Sequence, residues 1–301
     1  MLKGMPKLGG WAFLLALSGL CGVRAQPALG QTFLPPLPEP AIEDFERSGI
    51  LLGQETLQVT LARPDDRFDW EWALSRLKVA VELAPNSPQT WLFLGSVHLE
   101  LQQPTEAIVA LEKSLAFDPE NPGIRFTLGS AYFLGERYED AVDVLEVGLR
   151  EEPDTLNARF DLGNAYLKLA RYDEAIAEYE RAFDQEATFW PAINNVGLVL
   201  YERGDADGAI ARWETALTID NAAAEPQLAI AAATFVRGET EKALALGLTA
   251  LENDARYAQL DFLEENLWGE RLLADVTQLL AHPRLQEIVQ RSQSEIDDTQ
   301  P

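Results

Sequence analysis

Side chains that could perform chemistry are few in this sequence of 301 residues. It contains two histidines, His98 and His282, and one cysteine, Cys21, in an apolar amino-terminal stretch. No Cys or His spacing typical of a metal site occurs, and no glycine-rich phosphate loop. Paired carboxylates such as Glu139 and Asp140 are abundant, but neighbouring residues of a helix do not face each other. We therefore predict that the protein is not an enzyme and holds neither a metal nor a cofactor.

The charge balance is strongly acidic and restricts the class of partner. Lys and Arg number 24 against 49 Asp and Glu, and the formal net charge is −25. Phosphate backbones and anionic lipids are bound by clustered cations, so this balance disfavours nucleic acid or a lipid surface as the partner. Two interpretations stay open, a solvated surface that maintains solubility and attraction to a basic protein partner.

The amino terminus has the pattern of an export signal. Lys3 and Lys7 precede an apolar run, and small residues flank Arg24 at a cleavage pattern that ends at Ala25. Residues 1–25 are therefore predicted to be a signal peptide or, if retained, a membrane anchor, with an exported body. The next residues, 26–40, form a proline-rich linker that ends in the sequence LPPLPEP.

A period of 34 residues governs most of the remaining chain. Glycine recurs at Gly95, Gly129, Gly163 and Gly197, and alanine recurs at Ala73, Ala107, Ala141, Ala175, Ala209 and Ala243. Small residues at fixed positions allow helices to approach closely, and the large apolar residues between them have helical spacing. Each unit is thus predicted to be a helical hairpin that buries its apolar face only by stacking on its neighbours.

The pattern resembles the tetratricopeptide repeat, which runs W-x-x-L-G-x-x-Y, then A-x-x-x-F, then P. One unit matches it with Leu128, Gly129, Tyr132, Ala141 and Pro153. The resemblance implies an all-α fold, a right-handed superhelical solenoid of stacked helical hairpins with a helical carboxy-terminal cap. His98 stands at the position of Tyr132, which favours a packing role for it.

The predicted boundaries follow the period. Residues 41–87 form a degenerate repeat, residues 258–293 form capping helices, and residues 294–301 form a disordered tail. Five full repeats lie between them, at 88–121, 122–155, 156–189, 190–223 and 224–257.

The resemblance also implies where a partner binds, because the first helix of each repeat lines the concave groove in tetratricopeptide arrays. Projection of these helices away from their packed sides gives a predicted protein-binding or peptide-binding set. Its members are Phe126, Ser130, Phe133, Phe160, Asn164, Lys168, Asn194, Asn195 and Tyr201. A competing interpretation is that neighbouring helices or the carboxy-terminal cap cover these side chains.

Asn164 and Asn195 occupy positions where peptide-binding members of the family carry asparagine. A carboxamide both donates to and accepts from an extended peptide backbone. The carboxylate clamp of chaperone-tail-binding members is not expected here. Phe160 replaces one of its lysines, and Glu225 and Ala229 stand in place of its other basic residues.

Together these features predict an exported or membrane-anchored scaffold that binds a protein or an extended peptide in its groove. A periplasmic or thylakoid-lumenal location follows from the leader. Some exported tetratricopeptide proteins of photosynthetic bacteria assist complex assembly, and a similar layout makes an assembly or adaptor role the expectation. The alternatives are a self-associating structural protein, that is, a homo-oligomer, and an enzyme or enzyme subunit with an unrecognised site.

Overall fold

The structure is a computed structural model that describes residues 42–61 and 69–290. The predicted leader, linker and tail lie outside these ranges and stay predictions. All regular secondary structure within the described ranges is helical. No helix in them is both long and apolar enough to cross a membrane.

The helices alternate between first and second members of hairpins, and the hairpins repeat every 34 residues. The first six are α1 (Ile42–Leu61), α2 (Trp70–Leu83), α3 (Pro88–Glu100), α4 (Pro104–Phe117), α5 (Pro122–Leu134) and α6 (Tyr138–Glu151). The next six are α7 (Leu156–Lys168), α8 (Tyr172–Gln185), α9 (Trp190–Glu202), α10 (Ala206–Ile219), α11 (Ala224–Val236) and α12 (Thr240–Asn253). A 3₁₀ helix (Ala255–Ala258), α13 (Leu260–Glu265) and α14 (Glu270–Leu280) follow.

The turn inside each hairpin places one residue in the left-handed region of backbone space. Gln102, Glu136, Ala170, Gly204 and Gly238 have φ of 56°, 58°, 55°, 89° and 86°, and they are spaced by 34 residues. The next amide closes the first helix in the same way each time, as when Arg137 N donates to Tyr132 O at 2.8 Å. This left-handed ending reverses the chain so that the second helix can pack on the first.

The repeated glycine creates the contact between the two helices of a hairpin. A Cβ on Gly129 would lie 2.5 Å from Leu145, and one on Gly163 would lie 2.6 Å from Tyr179. Because no side chain fits there, a large residue from the second helix fills the space. The predicted role of the glycines and alanines in close helix packing agrees with these contacts, since Ala107, Ala141 and Ala175 are all fully buried.

The chain divides into two compact units at residues 153 and 154. In the amino-terminal unit, α1 to α6 stack in chain order, and α1 packs on both α2 and α3. Leu77, Phe93, Leu94 and Val97 belong to its core. In the carboxy-terminal unit, α7 to α12 form three hairpins, and each second helix packs on the first helix of the next. The stacked hairpins confirm the predicted all-α solenoid fold class.

Helix α14 does not continue this stack. It packs mainly on α11 and also on α9, which are both first helices, and it makes few contacts with the second helix α12. The residues predicted as a cap therefore place a helix on two first helices of the carboxy-terminal unit, α9 and α11. This is the side on which the binding site was predicted.

Candidate protein-binding site

In the amino-terminal unit, the predicted site residues lie on α5 and contact their own hairpin. Phe126 is buried, and a Cβ on Gly148 would lie 2.5 Å from its ring. The hydroxyl of Ser130 donates to the carbonyl oxygen of Phe126 at 3.3 Å. The ring of Phe133 is half-buried and lies 5.4 Å from that of Tyr138. Ser130 and Phe133 thus remain partly accessible, whereas Phe126 fills the interior of its hairpin.

In the carboxy-terminal unit, α7 carries three members of the set: Phe160, which packs on other rings, Lys168, which is accessible, and the buried Asn164. The ring of Phe160 lies 5.6 Å from that of Tyr179 and 5.2 Å from that of Phe189. Lys168 is exposed in the last turn of α7. The nearby Arg159 pairs with the buried Glu178 at 2.8 Å.

The three predicted asparagines form a buried hydrogen-bonded row. Asn164 Oδ1 accepts from the hydroxyl of Tyr179 at 2.8 Å and from Asn195 Nδ2 at 3.1 Å. Asn194 Nδ2 donates to Asn195 Oδ1 at 3.2 Å. All three are at most 6 % exposed. Their amides bond to one another and to the buried tyrosine, while Asn194 Oδ1 has no partner among the described residues. Burial also raises the pKa of the Tyr179 hydroxyl.

Asn194 extends this row to a buried carboxyl group, that of Glu225 at the start of α11. The side chain of Glu225 accepts from Trp268 Nε1 at 3.2 Å and from the hydroxyl of Tyr257 at 3.4 Å. Burial raises the pKa of Glu225, hydrogen bonds from Asn194, Trp268 and Tyr257 oppose the rise, and the result is about 7. In the sequence, Glu225 is marked only as a departure from the carboxylate clamp, and that unusual residue type is the available signal.

Two further side chains of α9 bind α14 directly. The hydroxyl of Tyr201 donates to Asp275 at 2.6 Å, and burial together with this hydrogen bond raises the pKa of Tyr201. The carboxylate of Glu202 accepts from the backbone amides of Arg271 at 3.2 Å and Leu272 at 3.1 Å. These are free amides of the first turn of α14, where an anion also interacts favourably with the helix dipole. No sequence pattern marked Glu202.

The two histidines occupy packing positions. His98 is buried, with Nδ1 2.7 Å from Gln103 Oε1, and His282 lies against Phe235 with ring centres 6.1 Å apart. No cluster of three potential metal ligands occurs among the residues that the structure describes. The contacts described above are all within the chain. The binding roles assigned to the nine predicted residues therefore stay predictions.

Comparison with known proteins agrees with this architecture. A tetratricopeptide-repeat profile matches residues 88–121, and a profile described as anaphase-promoting complex, cyclosome, subunit 3 matches residues 107–182. The chain therefore contains tetratricopeptide repeats and has the fold of a protein-interaction scaffold, a class that is typically non-enzymatic. A search of curated proteins found no match.

Several solved structures share the fold. PilF of Pseudomonas aeruginosa aligns with a TM-score of 0.57 at 20% identity, over 74% of this chain and 97% of that one. MamA from Desulfovibrio magneticus RS-1 aligns with a TM-score of 0.53 at 20% identity, over 60% and 98%. Another MamA structure gives 0.52 at 23% identity, over 61% and 96%. At these identities the likeness concerns the fold.

Proposed function

We propose that this protein is a scaffold that holds a protein partner against the first helices of its repeats and assists the assembly of a protein complex. The observation that supports this most directly is the packing of α14. In the carboxy-terminal unit the first helices already bind a helix through Tyr201 and Glu202. The same side of α7 presents the exposed Lys168, and in the amino-terminal unit α5 presents the half-buried Ser130 and Phe133.

Site-directed photo-crosslinking in the native host tests the partner role. A benzophenone amino acid replaces Ser130 or Lys168 on first helices. Matched controls carry it at exposed positions of second helices, Val109 in the amino-terminal unit and Glu214 in the carboxy-terminal unit. We expect adducts of a defined partner from the first-helix positions only. Adducts of equal yield from the controls, or none from Ser130 and Lys168, would contradict the proposal.

We also propose that the protein acts outside the cytoplasm, either released or anchored by residues 1–25. The support is the basic start, the apolar run and the small residues around Arg24. A photosynthetic complex is one candidate client by analogy of layout. Fractionation and amino-terminal sequencing test the location, with a start at Gln26 expected for cleavage and a membrane-bound start at Met1 for an anchor. An intact chain in the cytoplasm would contradict export.

A further inference from the structure

We propose that the α9–α11 face, marked by Tyr201, Glu202 and Glu225, is a docking site for an amphipathic helix of a partner protein. In the free protein, α14 occupies this face as an internal ligand. The inference rests on the proposed scaffold function and specifies the chemistry of the partner for one of its surfaces.

The placement of α14 separates it from a repeat helix. Within the carboxy-terminal unit, each first helix packs on the second helix before it, as α9 does on α8 and α11 on α10. The 3₁₀ helix that directly follows α12 packs on α12 as well, and α14 comes after α13. Helix α14 instead crosses to the first helices α11 and α9. Its position is therefore that of a ligand on the first-helix side rather than that of the next repeat.

The apolar side of α14 determines one part of the ligand chemistry. Leu272, Val276, Leu279 and Leu280 are buried, whereas Thr277 and the other residues of the opposite side are exposed. The helix is thus one-sided, with buried positions spaced as on a single helical face. A partner helix that covers the same surface needs apolar residues at the same spacing.

Three polar contacts define the rest of that chemistry. Glu202 accepts the free amides at the start of the helix, Tyr201 donates to an acidic residue one and a half turns on, and Glu225 accepts an indole N–H just before the helix. A Cβ on Gly269 would overlap the Glu202 carboxylate, so a larger residue before the helix would displace the Glu202 side chain from the position in which it accepts these amides. The face therefore fits the order Trp-Gly, an apolar residue three places after the glycine, and an aspartate six places after it.

These contacts also indicate how a partner gains access. All of them are non-covalent, and each connects α14 or Trp268 to side chains of α9 or α11. A partner helix with the same groups replaces every contact without loss of a buried hydrogen bond. The partner helix must then compete with α14 of the same chain. Because α14 is tethered beside the face, its effective concentration there is high.

Fluorescence anisotropy with a labelled synthetic peptide of residues 259–282 tests the proposal on the full chain. Val276→Lys places a charge on the buried side of α14 and releases it, while Thr277→Lys adds the same charge on the exposed side as a control. We expect the peptide to bind the Val276→Lys chain about tenfold or more tightly than wild type or Thr277→Lys. A peptide that itself carries Val276→Lys should not bind.

Equal peptide affinity for a folded Val276→Lys chain and for wild type would overturn the proposal. If Val276→Lys does not fold, Asp275→Ala, which loses only the bond to Tyr201, provides the same test with a smaller release. Wild-type chains that dimerise by exchange of α14 in sedimentation would assign the face to a second copy and also overturn it. Peptide binding without any crosslinked partner would count against the scaffold function while leaving the docking site intact.

Discussion

In the hairpin of α5 and α6, the side chain over the repeat glycine is Leu145, whereas in the hairpin of α9 and α10 it is Trp213. Both are fully buried, and both backbones follow the same pattern. The polar atoms differ, because the indole of Trp213 must find an acceptor and donates to the carbonyl oxygen of Asn194 at 3.1 Å. Where an aromatic side chain with a polar atom covers the repeat glycine, as in the carboxy-terminal unit, the interior must therefore supply a hydrogen-bond partner for it.

Tyr179 extends this comparison to the predicted asparagines. Its hydroxyl is buried and donates to Asn164, which stands one repeat after Ser130 and two after Ser96. In the amino-terminal unit, Ser96 and Ser130 bond to carbonyl groups of their own helices. The asparagines therefore have a structural role as partners of a buried aromatic, besides any role in binding.

The largest predicted effect on the free energy of unfolding comes from the ionisation of Glu225 in the carboxy-terminal unit. Its carboxyl group holds a proton more tightly in the folded chain than in the unfolded one, with a pKa near 7 against 4.5. Its stabilising contribution is therefore complete below pH 4.5 and is lost as the pH rises through about 7, a change of about 3 kcal/mol. Tyr257, Trp268 and Asn194 face this group, with Asp254 and Arg256 close to Tyr257.

Urea unfolding of wild type and Glu225→Gln across this pH range measures the effect. The glutamine keeps an acceptor for Trp268 and Tyr257 but does not ionise. We expect the stability of wild type relative to the variant to fall as the pH rises from 4.5 to 8. A constant difference across the range would show that Glu225 titrates as an ordinary glutamate.

The second prediction compares the repeat glycines. In Gly197→Ala the new methyl group overlaps the indole of Trp213, a rigid ring held by Asn194. In Gly129→Ala the neighbour is Leu145, whose side chain can change rotamer. Alanine favours the helix more than glycine does, and this gain offsets part of the cost of the overlap. The expected net loss in the free energy of unfolding is about 2 kcal/mol for Gly197→Ala and about 1 kcal/mol for Gly129→Ala. Equal losses in chemical denaturation would indicate that both hairpins accommodate the added methyl group equally well.

The third prediction compares Asn164 with Ser130. Asn164→Ala leaves the buried hydroxyl of Tyr179 and the amide of Asn195 without their acceptor, which costs about 2 kcal/mol. Ser130→Ala removes a long bond to the carbonyl oxygen of Phe126 at a half-buried site and should cost less, about 0.5 kcal/mol. Thermal unfolding of both variants measures the difference. Similar losses would argue that Asn164 stabilises the fold no more than Ser130 does.

At the hairpin turns, substitutions in the two units are expected to have small effects of opposite sign. Glu136 of the amino-terminal unit has φ of 58°, and Gly238 of the carboxy-terminal unit has φ of 86° with no atom near its missing Cβ. Glu136→Gly should therefore stabilise the chain by about 0.5 kcal/mol, and Gly238→Ala should destabilise it by about 1 kcal/mol. Calorimetry can resolve opposite signs, and shifts of the same sign would contradict the argument.

Much of the fold was predictable because it depends on residues close in sequence. The glycine of each first helix meets a residue sixteen places later, as Gly129 meets Leu145 and Gly163 meets Tyr179. Such pairs recur with the period, so spacing alone indicated the hairpins. The pattern does not record which first-helix side chains are covered. Phe126 was therefore assigned to the groove surface, although it fills the space beside Gly148.

The sequence by itself determined the helical hairpins, their period and the small residues that let them pack. Only the tertiary structure decided the position of α14. Its contacts join residues far apart in the chain and outside the period, Tyr201 with Asp275 and Glu225 with Trp268. No local pattern specifies such pairs, because they depend on the stacking of the hairpins and on the packing of α14 against both α11 and α9.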